Sequence, residues 1–545
     1  MNAENKTGML GKLRPEKQGA RGASRPQNTG YSDSGASWVK RTLKAMLPNS
    51  KSPQSDIDLN NATLRERSRM LYMGAPIATS AIKNNRTNIV GTGLVLKASI
   101  DREALGMTEE EAAAWQRHAE REFALCAEDK RNCDLSGMNN FYGIQQLACM
   151  SWLMSGDVFV IRRHMPATPL APYTLRLQMV EADRVRTPML GCTMAGNYTI
   201  GRNEETGNVI FDGVEISDSG RVVAYHVANT YPFDMISATG EQEVFTRIPV
   251  YGEETGLPNI LHICDSERPG QYRGVPLLAP VIEPLLQLRR FTEAELAAAV
   301  VQSFFTAFIK TDGGASDMPF NEVDPDERVH RSADDYQMGP GTINVMDPGE
   351  DISFASPTHP QGSFEPFVTA LCEQIGAAVE VPSDMLLKAY NASYSAARAA
   401  ILDAWKMFRM RRAWLVDDLC RPVYELWMTE AIASGRLQAP GFFTDAGRHH
   451  AYLGSEWVGP SAGTLDPEKE IKASVMAIQH GLSTHSDEAV KLNGSQFERN
   501  IARLTQENAM LAAAGGGEEN AAIPQAPRAP QEKTPETQEG ESNAE

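Results

Sequence analysis

The chain has 545 residues, of which 42% are hydrophobic and 22% are charged, and its formal net charge is −18. Because a single hydrophobic core stops growing at roughly 250–300 residues, a chain of this length should contain several domains. Residues 1–54 hold ten Lys or Arg and three acidic residues, a net +7, so the remainder carries −25. Such an acidic body disfavours a general basic surface for DNA, although the same charge is typical of a protein that is merely soluble.

Disulfides, zinc and a membrane anchor are also disfavoured. The seven cysteines form no CxxC pair and no Cys/His ligand spacing, which indicates buried thiols in a reducing cytoplasm. The most apolar stretch, 296–309, has 14 residues and contains Gln302, Ser303 and Thr306, whereas a membrane span needs about 20 apolar residues. The first 30 residues lack the apolar core of a signal peptide.

The first half of the chain mixes helices and strands. Residues 1–35 are rich in Gly, Ser, Asn, Lys and Arg, which predicts a disordered arm, and an amphipathic helix over 37–47 should dock on protein rather than on a membrane. Thr108 and Glu111 form a capping box for a helix to about Cys126, and a second helix is predicted over 141–155. Strands are predicted at 156–161, 173–180, 209–211 and 222–227.

Two helices flank a small inserted module. Residues 285–311 contain neither Gly nor Pro, which predicts a helix of about 27 residues and roughly 40 Å. Its apolar stripe fits tight helix packing as well as an ordinary core helix: Phe291, Ala294, Ala298, Val301, Phe305 and Phe308. Residues 312–362 are dense in Gly, Pro, Asp and Ser, with β-like runs at 341–346 and 351–355. An amphipathic helix follows from Phe364 and ends before Pro382.

After a loop at 383–394, the pattern becomes helical again. Residues 395–421 contain no Gly or Pro, and Pro422 should kink the helix that they form, because it removes one backbone hydrogen bond. Asp466 should cap a helix that Gly481 ends, and Ser495 with Glu498 forms a capping box for a helix to about 514. The acidic, Pro-rich tail beyond 515 should be disordered.

The sequence contains no recognisable catalytic constellation. It lacks a phosphate-binding Gly-rich loop, a GxSxG turn, an HExxH motif and an EF-hand loop. The adjacent His449 and His450 point apart, so they are poor metal ligands, and the pairs 334–335 and 417–418 are interpreted as solvated aspartates. We therefore expect no catalytic residue, no metal and no cofactor.

A basic patch lies within the long helix. Arg409, Arg411 and Arg412 could touch DNA or pair with an acidic protein group. Because the body of the chain is acidic, pairing with protein is the preferred interpretation.

Four short motifs occur in one order along the chain. They are Leu64-Arg-Glu-Arg-Ser-Arg69, Arg268-Pro-Gly-Gln-Tyr-Arg-Gly-Val-Pro276, Asn391-Ala-Ser-Tyr-Ser-Ala-Ala-Arg398, and Trp457-Val-Gly-Pro460 followed by Asp466-Pro-Glu-Lys-Glu470. Each is short, but together they span residues 60 to 510. In this arrangement the chain resembles the portal proteins of tailed bacteriophages, in particular the lambda-like family. Two departures from the family pattern are the segment 71–76 after the first motif and Ala392 in the third.

The resemblance implies an α+β portal fold with a mixed α/β wing, a two-helix stem, an inserted clip, a kinked long wing helix and a helical crown. The implied divisions are a basic disordered arm (1–54), the first part of the wing (55–270), a stem helix (271–311), the clip (312–355), a second stem helix (356–381), a tunnel loop (382–394), the second part of the wing (395–465), the crown (466–514) and an acidic tail (515–545).

The resemblance also implies a function. Portal proteins form a ring, usually a dodecamer, at one capsid vertex, through which DNA is packaged and ejected. The implied partners are further copies of the chain, double-stranded DNA in transit, the terminase large subunit, a head-tail connector protein, and the major capsid and scaffold proteins, with no membrane. The implied location is the portal vertex of the virion, with assembly in the host cytoplasm. The alternatives are a monomeric nucleic-acid-binding adaptor and a head-maturation enzyme.

A conduit must let DNA slide. Duplex DNA carries one charge per about 1.7 Å, so a stem of about 40 Å would face some two dozen phosphates. An acidic chain with few basic contacts would not hold them. The tunnel loop implied by the resemblance has Asp384 and Lys388 as its charged residues. Our hypothesis is that passing DNA is touched weakly by Lys388, Tyr390, Asn391, Ser393 and Tyr394.

Overall fold

In this computed structural model the described residues are 36, 40–43, 46, 49–188, 192–195, 198–234, 240, 242–303, 307–311, 350–354, 364–389, 393–463 and 466–513. The chain divides into two compact units, Met1–Ser52 and Pro53–Glu545. The first unit includes a 3-10 turn at Arg41–Leu43. Most of the helix predicted over 37–47, the predicted arm at 1–35 and the predicted tail at 515–545 lie outside the described residues. All elements below belong to the second unit.

A helical layer opens this unit. A π-helical turn at Gln54–Asp58 leads into α1 (Leu59–Gly74), α2 (Pro76–Ile89), strand β1 (Val95–Ala98), α3 (Arg102–Leu105), α4 (Glu109–Ala127), α5 (Lys130–Cys133) and α6 (Phe141–Ser155). Thr108 caps α4, and its backbone N–H donates to the Glu111 carboxylate at 2.9 Å. Both helices predicted in this part of the chain are therefore confirmed.

Antiparallel strands follow α6. They are β2 (Asp157–His164), β3 (Leu175–Glu181), β4 (Cys192–Ala195), β5 (Tyr198–Arg202), β6 (Val209–Phe211), β7 (Val214–Ile216), β8 (Val222–Ala228), β9 (Phe245–Pro249) and β10 (Ile260–Cys264). β2 lies between β10 and β3 in one sheet, and β4 to β9 pair in chain order in another. The four predicted strands are confirmed, and the protein has a mixed α and β fold.

The helix predicted over 285–311 is shorter than expected. Helix α7 spans Ile282–Ser303, and Ala307–Thr311 forms strand β11, which is antiparallel to β12 (Glu350–Phe354). Aromatic and β-branched residues such as Phe308 and Ile309 favour a pleated strand when a partner is present. The prediction of helix up to residue 311 is wrong, whereas the β run at 351–355 is confirmed. Residues 312–349, which include the run at 341–346, lie outside the described residues.

The second predicted helix lies beside α7. It is α8 (Phe364–Val379), and the Phe291 ring of α7 lies 5.5 Å from the ring of Phe364 and 4.8 Å from that of Phe367, measured between centroids. The apolar stripe predicted on α7 therefore packs, through Phe291, against a second helix.

The helix predicted from residue 395 changes to a π-helical turn just before Pro422, where a kink is predicted from the sequence. The chain continues through α9 (Ser383–Leu387), α10 (Tyr394–Leu415), a π-helical turn at Val416–Cys420, α11 (Arg421–Ala433), α12 (Ala446–Tyr452) and β13 (Ser455–Val458). Pro422 lacks an N–H, and the wider π turn directly before it absorbs the lost hydrogen bond. β13 pairs antiparallel with β1, so that Val95 faces Val458.

Three helices close the described part of the chain. They are α13 (Pro467–Gln479), α14 (His485–Asn493) and α15 (Phe497–Ala513). Asp466 caps α13 by accepting a hydrogen bond from the Lys469 N–H, as its position before Pro467 predicts. Helix α14, which Thr484 caps, is not predicted from the sequence.

One buried cluster joins the early helices to the late ones. Phe123 of α4 stands edge-on to Tyr424, Trp427 and Trp457, with ring centroids 5.7, 5.1 and 5.8 Å away. Aromatic pairs at these separations stabilise beyond the area that they bury. Val158 of β2 belongs to the same cluster, so helices and sheet share a core. Within the described residues, no helix combines the length and the apolar character needed to cross a membrane.

Candidate DNA-channel segment

The residues predicted to touch DNA belong to one short segment between α8 and α10. Lys388 and Ser393 are described and exposed, and Tyr394 is the first residue of α10. Tyr390, Asn391 and the side chain of Tyr394 lie outside the described residues. The structure therefore places Lys388 and Ser393 at the surface and leaves the middle of the segment undescribed.

A loop is predicted at 383–394, but its first five residues form the helix α9, which packs against the rest of the protein. The prediction of a loop is wrong for these residues. Leu386 is buried, and Met385 and Leu387 pack against the main core. Ser80 of α2 donates to the Leu386 carbonyl at 2.7 Å, and Asn84 donates to that of Met385 at 2.9 Å. These apolar side chains prefer the core to water. They anchor the segment to the body of the protein.

A left-handed residue stands on each side of α9. Glu380 has a φ of 58° and Lys388 a φ of 54°, in a region that costs most side chains roughly 1–2 kcal/mol. Gly376 allows the chain to bend back at Glu380, because a Cβ on residue 376 would lie 2.6 Å from the Val381 carbonyl oxygen. The backbone therefore leaves α9 through a defined bend, and Lys388 is the first residue beyond the anchored part.

The basic patch of α10 mostly faces inward. Arg409 is exposed, but Arg411 is buried, and its Nη1 donates to Asn85 Oδ1 at 2.6 Å. Its Nη2 donates to Glu380 at 2.9 Å. Burial lowers the pKa of Arg411, and the Glu380 carboxylate opposes that shift. Arg411 therefore binds protein, as preferred from the sequence, but within its own subunit.

Arg412 closes a similar contact with the fourth motif. Its guanidinium donates to the carbonyl oxygens of Asn88, Ile89 and Pro460, each at 2.8 Å. Gly459 allows this approach, because a Cβ there would lie 3.0 Å from the Arg412 Cζ. Burial lowers the pKa of Arg412 to about 10, with a further contribution from the charge of Arg409. The Trp457 to Pro460 motif thus rests on the end of α2 and on α10.

The third motif is tied to the Asp466 to Glu470 motif. Arg398, in the first turns of α10, forms an ion pair with Glu470 of α13. The carboxylate is mostly shielded, whereas the guanidinium is partly exposed. The pair connects the C-terminal helices to the main body.

The first two motifs meet inside the protein. Arg65 of α1 donates to Asp183 at 2.8 Å and to Asp212 at 3.3 Å, and Arg69 also binds Asp183. We call these residues, with Arg273 and Asp157, the arginine junction. Arg65 and Asp183 are buried, so each charge needs the other to offset its loss of hydration.

Arg273 is the centre of the arginine junction. It is fully buried, contacts Asp157 at 2.6 and 3.1 Å, and lies 2.9 Å from Asp212 Oδ2. It also donates to the carbonyl oxygens of Val185 at 2.8 Å and Ala182 at 2.9 Å. All three carboxylates of the junction come from the β region, and two of the arginines come from α1.

Electrostatic interactions keep Arg273 and Asp157 ionised. Burial alone would raise the pKa of Asp157, but the Arg273 charge and a hydrogen bond with His262 lower that pKa well below its ordinary value. Burial alone would lower the pKa of Arg273, but Asp157 and Asp212 raise it. Both groups therefore stay charged at physiological pH.

The backbone beside Arg273 has no room for another side chain. A Cβ on Gly274 would lie 1.8 Å from the carbonyl oxygen of Gly156, and Gly156 itself has a φ of +89°. Asn61 of α1 donates to the Gly274 carbonyl at 2.8 Å. The second motif is thus a junction between α1, the end of α6 and the start of β2, a role that is not predicted from the sequence.

The described residues offer no metal centre, since no group of three potential His, Cys, Asp or Glu ligands occurs among them. His449 has its ring nitrogens 3.2 Å from the Phe442 carbonyl oxygen and 3.2 Å from Glu425 Oε1. The cysteines with described side chains are free, and burial raises the pKa of Cys126 and Cys149 to about 12. Burial therefore favours the neutral thiol over the nucleophilic thiolate at these two cysteines.

The sequence of this chain is similar to sequences of known proteins over most of its length. Residues 40–412 match the family model for phage portal protein, lambda family. Portal protein B of Escherichia phage lambda is 25% identical over 500 residues, which cover 88% of this chain and 90% of that protein. The portal protein of Escherichia phage N15 is 24% identical over 505 residues, which cover 87% and 89%. A solved chain from the neck of a native GTA particle, computed with C12 symmetry, has 13% identity and a TM-score of 0.40, and the match covers 80% of this chain and 94% of that one.

The family match covers more than half of the chain, and it includes the first two motifs, the third motif and most of α10. The resemblance inferred from the four motifs is therefore confirmed. The chain belongs to the lambda family of phage portal proteins, and its role is that of a capsid portal.

Proposed function

We propose that copies of this chain close into a ring of twelve at one capsid vertex, and that double-stranded DNA passes through its centre during packaging and ejection. Membership of the portal family carries this proposal. The net charge of −18 supports it, because an acidic wall does not bind the phosphates that must slide past. The divisions into wing, stem, clip, tunnel loop and crown given by the resemblance are part of the same proposal.

The segment 388–394 is the proposed contact with DNA. The docking of α9 fixes one end of this segment, and Lys388 extends from that end into solvent. Exposed ion pairs contribute at most about 1 kcal/mol each, so one lysine per copy would guide a duplex without holding it. The residues assigned to this contact are Lys388, Tyr390, Asn391, Ser393 and Tyr394.

The other partners follow from the same role. The terminase large subunit and the head-tail connector protein would bind in turn, with the clip at 312–355 as a candidate surface, and the major capsid and scaffold proteins would surround the ring. The chain itself would be a structural component of the virion that assembles in the host cytoplasm, without catalysis of its own.

Mass measurement of the purified protein tests the ring. One chain weighs 59.7 kDa, so a ring of twelve would weigh about 0.7 MDa and show a central hole in negative stain. A protein that stays at the mass of one chain under all assembly conditions would instead support a monomeric adaptor. Efficient turnover of a peptide or nucleotide substrate would support a head-maturation enzyme.

Replacing Lys388 by alanine tests the DNA contact. We expect rings to form normally, while the yield of DNA-filled particles or the retention of packaged DNA changes several-fold, because the guiding charge is lost. Lys388→Arg keeps the charge and should behave as the native protein. Lys406→Ala removes another exposed lysine, from α10, and serves as the matched control. Loss of rings in Lys388→Ala, or normal packaging by it, would refute the assignment.

A further inference from the structure

The end of helix α9 is capped by side chains of another helix. A helix supplies no donor for its last carbonyl groups, and α9 has only five residues. The Met385 carbonyl accepts a hydrogen bond from Asn84 of α2 at 2.9 Å, and the Leu386 carbonyl accepts one from Ser80 at 2.7 Å. Asn84 also donates to the Ser80 hydroxyl at 3.1 Å. The two side chains therefore form one connected cap, which we call the α2 cap.

Lys388, the first residue after α9, has a strained backbone. Its φ of 54° lies in the left-handed region, which glycine or asparagine usually occupies at the end of a helix. The N–H groups of Lys388 and Ala389 both donate to the Asp384 carbonyl. A lysine keeps this conformation only where the surrounding structure enforces it. The bonds of the α2 cap to the two residues before Leu387 provide that enforcement, and they fix the point from which the Lys388 side chain enters solvent.

Helix α2 also holds the bend on the other side of α9. Glu380 has a φ of 58°, and its carboxylate accepts a hydrogen bond from Arg411 at 2.9 Å. The same guanidinium donates to Asn85 Oδ1 of α2 at 2.6 Å, and Asn85 and Arg411 are both buried. A charged group held by directed hydrogen bonds on two sides has a fixed orientation. Both left-handed residues that flank α9 are therefore tied to α2.

We propose that Ser80 and Asn84 are positioning residues for the DNA contact, because they hold α9 so that Lys388 presents its charge at one fixed place. The inference rests on the proposed function, in which Lys388 guides passing DNA weakly. A functional group acts reproducibly only when a supporting shell of packing and hydrogen bonds holds it. Without the α2 cap, the lysine would move with the segment that follows it, and the copies in a ring would no longer present the charge alike.

Hydrogen exchange in the purified full-length chain tests whether the α2 cap holds α9. Ser80→Ala and Asn84→Ala each remove one hydrogen bond to α9, so the amides at 386–389 should exchange about five- to tenfold faster. Asn88→Ala is the matched control, because the Asn88 side chain donates within α2, to the Asn84 carbonyl at 2.9 Å. Ser80→Thr keeps the hydroxyl and should restore the native rate. Unchanged exchange in both alanine variants would overturn the inference.

DNA packaging separates positioning from general support of the fold. Asn84→Ala should change the yield of DNA-filled particles several-fold, as Lys388→Ala does. In a chain that already carries Lys388→Ala, it should change the yield no further, because the charge that it positions is gone. An equal effect in both backgrounds would mean a structural role only and would overturn the inference.

The outcomes distinguish this inference from the proposed function. Normal packaging by Lys388→Ala alone would refute the DNA contact, and the inference with it. Unchanged exchange at 386–389, together with altered packaging by Lys388→Ala, would overturn the inference and leave the DNA contact standing.

Discussion

Replacing Arg273 by methionine should destabilise the protein more than any surface change, because it leaves the Asp157 carboxylate buried without its cation. The guanidinium approaches that carboxylate at 2.6 and 3.1 Å, and both side chains have no exposed surface. Removing one partner of such a pair costs about 3–5 kcal/mol. The carbonyl groups of Val185 and Ala182 also lose their donor, at about 1 kcal/mol each. We therefore expect a loss of about 5 kcal/mol in the free energy of unfolding.

Urea unfolding followed by circular dichroism measures this loss. The matched control is Arg131→Met, which removes a pair with Asp129 at 2.7 Å in which the guanidinium is mostly exposed. Exposed pairs contribute about 0–1 kcal/mol, so the control should unfold almost as the native chain does. The double variant Arg273→Met/Asp157→Asn removes the stranded charge and should recover about 2 kcal/mol of the loss.

The reasoning would be refuted by a small effect. If Arg273→Met lost no more stability than Arg131→Met, the arginine junction would not depend on charge pairing. If the single variant were severely destabilised but the double variant recovered nothing, the loss would come from packing around the side chain and not from the buried charge.

Burial raises the pKa of Asp418 from 3.8 to about 6, so the folded state keeps a proton that the unfolded state has lost, and stability falls as pH rises between about 4 and 6. After discounting for partial exposure, Asp418→Asn should therefore raise the free energy of unfolding by about 1 kcal/mol at pH 7 and leave it unchanged at pH 4, as measured by urea unfolding. Unfolding curves that match those of the native chain at both pH values would contradict this. Gly274→Ala places a methyl group 1.8 Å from the Gly156 carbonyl oxygen and should cost about 3 kcal/mol, measured as a lower midpoint of thermal unfolding; an unchanged midpoint would mean that the backbone yields. Arg398→Gln removes the ion pair to Glu470 and should speed amide hydrogen exchange in α13 but not in α4; equal exchange in the variant and the native chain would show that this pair does not hold α13.

Local rules of the sequence predicted the elements that depend on neighbouring residues. The capping box of Thr108 and the proline at 422 act within one or two turns, so the start of α4 and an irregularity at Pro422 could be predicted, whereas the π turn itself was not. Strand β11 could not. Residues 307–311 lack Gly and Pro, but their structure is decided by pairing with Glu350–Phe354, which lies far along the chain.

The same limit explains the errors at the candidate site. From the sequence, residues 385–387 are predicted to be uncharged loop residues. Their role in holding the segment against the core depends on contacts such as that of Leu386 with Ser80, which is 306 positions away in the chain. The arginine motifs were recognised as a family pattern, but their partners Asp157, Asp183 and Asp212 are single aspartates scattered through the β region. An arginine amid apolar residues requires a carboxylate when it is buried, and that signal could have suggested an interior role.

The pairing of β1 with β13 has a consequence for protein synthesis. Val95 pairs with Val458, so a nascent chain leaves the ribosome with β1 unmatched until about 360 further residues have been translated. At about 5–20 residues per second, this interval lasts roughly 20–70 s. The edge of β1 is open throughout, and chaperones have that time to shield it from other unfinished chains.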